Sequence, residues 1–137
     1  GERMGEGFLT DPAVVGEFAA STGTDALAVA IGTAHGVYVE TSKLDFPRLE
    51  AIAQSTDVPL VLHGGSGTPD DSLRRSIELG ICKINVGTDI RRAFLATTAE
   101  LGRDAALDVR DVLTQAKTRM KEVIRDRIRV FGANDRV

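Results

Sequence analysis

Pro59-Leu60-Val61-Leu62-His63-Gly64-Gly65-Ser66-Gly67 is a short apolar run that ends abruptly in a histidine and a glycine-rich turn. An unbroken apolar run of this length suits a parallel strand covered on both faces, here predicted over Val58 to Leu62. The glycines after it allow the backbone a close approach to whatever lies beyond the strand end. The same arrangement occurs twice more. Ala26 to Ile31 is a small-apolar run followed by the loop Gly32 to Lys43, which carries His35. Ile81 to Val86 is a third predicted strand, followed by Gly87-Thr88-Asp89.

Helix signals separate these strands. Asp11 and Pro12 suit a cap and a first helical position, and the helix they open ends near Thr22-Gly23. Its predicted apolar face is Val14, Val15, Phe18 and Ala19. Asp45 to Thr56 reads as a helix with Phe46, Leu49, Ile52 and Ala53 on one side. Pro69 to Leu79 is a third helix with Leu73 and Ile77 facing inward, and a fourth begins at Gly87-Thr88-Asp89 and runs to about Leu101. The last, near Val109 to Ile128, sets Val109, Val112, Leu113, Ala116, Met120, Val123 and Ile124 at helical spacing, which predicts a core-facing stripe. Gly1 to Gly7 has no periodicity and reads as a mobile segment.

Strands alternating with helices at this spacing predict an α/β fold with a parallel sheet. Three strands cannot close a barrel, which needs eight. Residues 1–137 are therefore expected to form one part of a larger α/β unit. The composition agrees with a packed domain: 42% of residues are hydrophobic, and 17 basic against 20 acidic side chains give a net charge of −3. That balance argues against nucleic acid or an anionic membrane as partner, because both call for a basic face. No apolar run approaches the roughly 20 residues of a membrane helix. With one cysteine, Cys82, no internal disulfide is possible, so a cytoplasmic location is expected. Cys82 itself reads as a small buried hydrophobe.

All the candidate chemistry follows the C-terminal end of a strand, where α/β folds bind their ligands. His35 and His63 are the only histidines, and each is followed at once by glycine. Imidazole is the commonest metal ligand, although a single strand-end histidine more often makes a structural hydrogen bond. Two of them at equivalent strand ends favour the ligand role. A catalytic zinc site needs three protein ligands, and the third is not evident in the chain. The loop His63 to Gly67, with Gly64, Gly65 and Ser66, offers backbone donors and a hydroxyl. The run Asn85, Val86, Gly87 and Thr88 forms a second such loop at a helix start. One glycine-rich loop is as readily a tight turn as an anion site, but two on neighbouring strands favour phosphate. Lys83 and Asn85 share one predicted face of the third strand, opposite Cys82, Ile84 and Val86. A buried strand lysine can serve as a Schiff-base nucleophile or, more often, as an ion-pair partner.

At these loops the sequence resembles the class II, metal-dependent ketose-bisphosphate aldolases. The stretches that carry the resemblance are Leu27 to Gly36, Pro59 to Gly67 and Lys83 to Asp89, and the similarity extends from about Phe8 to the C-terminus. The resemblance implies the C-terminal part, about strands six to eight, of a (β/α)8 TIM barrel. It implies His35 and His63 as two zinc ligands. Gly36, Gly64, Ser66, Asn85 and Thr88 would hold the phosphate and hydroxyls of a dihydroxyacetone-phosphate half, with a monovalent cation nearby. The third zinc ligand, the catalytic Asp and a mobile-loop acid are expected upstream of Gly1, so no catalytic acid–base is assigned within the chain. The implied reaction is reversible cleavage of fructose 1,6-bisphosphate to dihydroxyacetone phosphate and glyceraldehyde 3-phosphate. Tagatose 1,6-bisphosphate is the alternative substrate; Gly65 and Gly67 favour fructose. The implied partners are the N-terminal half of the barrel and further copies of the full enzyme. Two other readings are a Schiff-base aldolase using Lys83 and a structural half-barrel without activity of its own.

Overall fold

The computed structural model describes residues 9–33, 43–104 and 106–134. Gly1 to Gly7, His35 and Gly36 lie outside the described residues. The elements are α1 (Pro12–Thr22), β1 (Leu27–Ala28), α2 (Phe46–Ser55), β2 (Leu60–Leu62), α3 (Asp70–Glu78), β3 (Ile81–Ile84), α4 (Thr88–Leu101) and α5 (Val109–Val130). Their order is the one the sequence predicts. The strands form one parallel sheet in the order β1-β2-β3, with Leu27 opposite Leu60 and Leu62 opposite Ile84.

Caps fix where the helices begin. The Asp11 carboxylate accepts from the Ala13 N–H at 3.0 Å, and Pro12 takes the first position, where no amide hydrogen is needed. Asp45 has a larger role. Its Oδ1 accepts from the Arg48 N–H at 3.0 Å, and its Oδ2 from Arg48 Nε at 2.9 Å. Arg48 Nη1 reaches on to the Thr10 carbonyl at 3.0 Å, tying α2 to the segment that enters α1. The Arg48 backbone N–H, and then its guanidinium, hold the Asp45 carboxyl below the ordinary carboxylate range.

The chain divides into two compact units, Gly1–Val86 and Gly87–Val137. In the first, β2 is buried along its whole length, and Val15, Ala19, Ile31, Leu49, Ile52, Leu73 and Ile81 close around the sheet. α1 packs on α2 so closely at Gly16 that a Cβ there would lie 2.7 Å from the Ser55 carbonyl oxygen. The second unit pairs α4 with α5. Its buried side chains among the described residues are Thr97 and Ala116.

Several expectations are corrected. The strand predicted over Ala26 to Ile31 is paired as strand only at Leu27–Ala28. Beyond that, Val29 still donates to the Val61 carbonyl, but Ala30 turns to the Thr10 hydroxyl and Ile31 accepts from the Asp45 N–H. On α1 the buried side chains are Val15 and Ala19, while Val14 and Phe18 are about half exposed. The α5 stripe is buried only at Ala116; Val109, Leu113 and Ile124 are exposed. Cys82 is exposed rather than buried. The reason is a register irregularity: Leu60 pairs with Ile81 but Val61 pairs with Lys83, so Cys82 is the extra residue on an edge strand. Its thiol donates to the Gly80 carbonyl at 3.4 Å.

Candidate functional site

Because the strands are parallel, the residues that follow β2 and β3 emerge at one edge of the sheet. Hydrogen bonds then join the two exits. Asn85 N–H donates to the Leu62 carbonyl at 3.0 Å, and Gly65 N–H donates to the Asn85 carbonyl at 3.1 Å. The second bond commits the Gly65 amide to the fold, so that amide is not one of the donors a phosphate would meet. Gly65 instead permits close approach: a Cβ there would lie 2.5 Å from Ile84 Cγ2, 3.2 Å from the Asn85 oxygen and 3.5 Å from Val86 Cγ2. Gly64 and Gly67 have φ of 70° and 76°, in the left-handed region that other residues disfavour. The loop therefore needs its glycines for two geometric reasons, positive φ at Gly64 and Gly67 and close approach at Gly65.

Inside the turn, Ser66 and Thr68 are buried, at 5% and 4% exposure, and Thr68 Oγ1 donates back to the Gly64 carbonyl at 3.3 Å. Thr68 was not singled out from the sequence. The signal available was a hydroxyl residue four positions beyond the first loop glycine, which can close a turn on itself.

A polar relay crosses the strand ends. Lys83 Nζ donates to Asn85 Oδ1 at 2.6 Å, and Asn85 Nδ2 lies 3.2 Å from His63 Nδ1. The predicted common face of Lys83 and Asn85 is thus observed. Lys83 is exposed, not the buried lysine that Schiff-base chemistry would use. The structure brings His63, Gly64, Gly65, Ser66, Asn85 and Val86 together in the first unit. Gly87 and Thr88 open the second unit, where α4 starts without a side-chain cap and Arg91 Nη2 donates to Thr88 Oγ1 at 3.1 Å. Among the described residues no three His, Cys, Asp or Glu side chains gather at a metal-binding spacing. None of the described helices is long and apolar enough to cross a membrane.

A parallel α/β unit with a histidine and a glycine-rich turn on the C-terminal edge of its strands is built like part of a ligand-binding α/β barrel. The comparisons make this specific. Residues 1–136 match the family model for class-II fructose-bisphosphate aldolase. The chain belongs to the class II fructose-bisphosphate aldolase family. It is similar to the YdjI aldolase of Escherichia coli K12, at 35% identity and a TM-score of 0.85, over 93% of this chain and 47% of that one. A provisionally named fructose-1,6-bisphosphate aldolase from Coccidioides immitis matches at 26% identity and a TM-score of 0.85, over 93% and 44%. The fold alone is shared with the fructose-bisphosphate aldolase of Campylobacter jejuni, at 20% identity and a TM-score of 0.76, over 92% and 46%. The chain spans about half the length of these structures.

Proposed function

We infer that the chain forms the C-terminal part, about strands six to eight, of a class II aldolase barrel that cleaves fructose 1,6-bisphosphate into dihydroxyacetone phosphate and glyceraldehyde 3-phosphate. The observation that carries this reading is the pairing of His63 with Asn85 across the ends of β2 and β3, beside the loop that contains Ser66. The imidazole donor fits a zinc ion in kind, and the described residues supply one such ligand, His63. His35 would be the second, with the third from the remainder of the barrel. Zinc, when bound, supplies Lewis-acid polarisation of the ketose carbonyl.

The chain's own residues then have distinct roles. His63 and His35 hold the metal. Gly64, Ser66 and Asn85 bind the phosphate and hydroxyls of the three-carbon product half, which fixes the bond to be broken. Gly65 and Val86 shape the cradle. A monovalent cation would sit near the same loops. The acid–base that takes the hydroxyl proton comes from the remaining strands, in a cytoplasmic homo-oligomer of the full enzyme. Coverage of about half of each relative supports a completing segment of this kind.

The test is cleavage of fructose 1,6-bisphosphate, with and without EDTA, by the chain together with the segment that completes the barrel. Activity abolished by EDTA supports the reading. EDTA-resistant activity with borohydride trapping on Lys83 would replace it with Schiff-base chemistry, and faster turnover of tagatose 1,6-bisphosphate would correct the substrate. His63→Ala is expected to remove bound zinc and turnover together. Retained zinc with normal turnover would take His63 out of the site.

A further inference from the structure

The function above makes no use of Arg48, although its guanidinium is engaged on two sides. Arg74, Arg75 and Arg119 are more than half exposed, and each pairs with an acid three residues away on its own helix. Arg48 is 27% exposed, and besides Asp45 it reaches the Thr10 carbonyl, 38 residues away in the chain. Thr10 is itself committed to the residues that follow β1. Its N–H donates to the Ala30 carbonyl at 2.9 Å, and its hydroxyl accepts from the Ala30 N–H at 2.8 Å. On the other side, the Asp45 N–H donates to the Ile31 carbonyl at 2.9 Å. These bonds close a ring, from Ala30 to Thr10, Arg48, Asp45 and back to Ile31. Beside the ring, Gly32 meets Lys43 so closely that a Cβ would lie 2.6 Å from the Lys43 oxygen. Residues 34–42, which include His35, connect these two ends of the chain.

We propose that Arg48 is a positioning residue which, by bridging Asp45 and Thr10, holds together the two ends of the segment carrying His35 and so slows metal loss from the site. This rests on the reading of His35 as a ligand, but the bridge itself can be measured with no metal or substrate present. Arginine suits the task because its planar fork sends Nε to one acceptor and Nη1 to another, whereas a lysine ammonium is a single point charge. The α2 cap does not depend on the guanidinium, since Asp45 Oδ1 accepts from the backbone N–H of residue 48. The bridge can therefore be removed while the cap is kept.

The experiment compares Arg48→Met and Arg48→Lys with the parent. In the metal-free full chain, hydrogen exchange at the Ala30 and Asp45 amides is measured relative to the Ile52 amide within α2, which corrects for any change in overall stability. Arg48→Met should raise this ratio about tenfold, as expected for a local opening. In the completed enzyme, Arg48→Met should release zinc to a chelator about tenfold faster, the lower end of the effect of residues that support metal ligands. The kcat and KM of the zinc-saturated enzyme should stay as in the parent, which a general loss of structure would not allow. Arg48→Lys, which keeps the charge but not the fork, should behave like Arg48→Met; full rescue by lysine would assign the effect to charge and overturn the bridge. An unchanged exchange ratio, or unchanged zinc release, would also overturn the proposal. If exchange and zinc release respond as expected but cleavage is EDTA-resistant, Arg48 keeps its positioning role and the metal-aldolase reading fails.

Discussion

The two units of the chain solve the burial problem differently. In Gly1–Val86 five of the six elements contribute to one core, β1 being the exception: Val15 from α1, Leu49 and Ile52 from α2, Leu60 to Leu62 from β2, Leu73 from α3 and Ile81 from β3. In Gly87–Val137 the pattern is just as periodic, yet Val109, Leu113, Ile124 and Ile128 are exposed and, among the described residues, Ala116 is the apolar side chain fully covered. A helix pair has only one seam to bury, so an apolar stripe wider than that seam stays outside it. A strand between two others and beneath helices has no such freedom. The lesson is that helical periodicity identifies the face a helix intends to bury, whereas burial itself depends on how many layers surround it.

The contrast yields graded expectations. Leu62→Ala, at a fully buried position of β2, should lower unfolding free energy by about 3 kcal/mol, read from denaturant midpoints. A loss below about 1 kcal/mol would mean the sheet unit is not the stable part. Next comes Gly65→Ala, whose new Cβ must displace Ile84 or the Asn85 backbone. It should destabilise by roughly 2 kcal/mol and disturb the His63–Asn85 contact, seen as a changed His63 NMR signal. An unchanged signal would show that the two strand exits move independently.

Asp45→Ala should cost about 1 kcal/mol through loss of the α2 cap. Because the folded-state carboxyl lies below its ordinary value, this stability is present above the unfolded pKa of about 4 and is lost as pH falls through the folded value. The difference between Asp45→Ala and the parent should therefore vanish in acid. A difference that persists at low pH would assign the effect to packing. Smallest of all, Leu113→Ala in α5 should change stability by less than about 0.5 kcal/mol. A loss as large as that of Leu62→Ala would mean that the exposed stripe is covered in the assembled protein, and the contrast between the units would disappear.

Much of the site was legible because strand-end histidines, glycines and the Lys83/Asn85 alternation are local signals. Asp11 and Asp45 likewise announced their helices. What escaped was whatever depended on a neighbour. Gly16 is required by the Ser55 carbonyl on another helix, and Thr68 by a carbonyl across its own turn. Cys82 was misjudged because strict alternation presumes an even register, and β3 gains a residue against β2.

The sequence by itself determined the order of helices and strands, the parallel sheet they imply and the residues that gather at its C-terminal edge. All of these follow from periodicity, capping and the side-chain chemistry of short stretches. Only the tertiary structure decided that Gly65 supplies space while its amide serves the fold, that Cys82 faces outward, and that Lys83, Asn85 and His63 form one relay. Those outcomes rest on distances between separate strands, which no local pattern encodes.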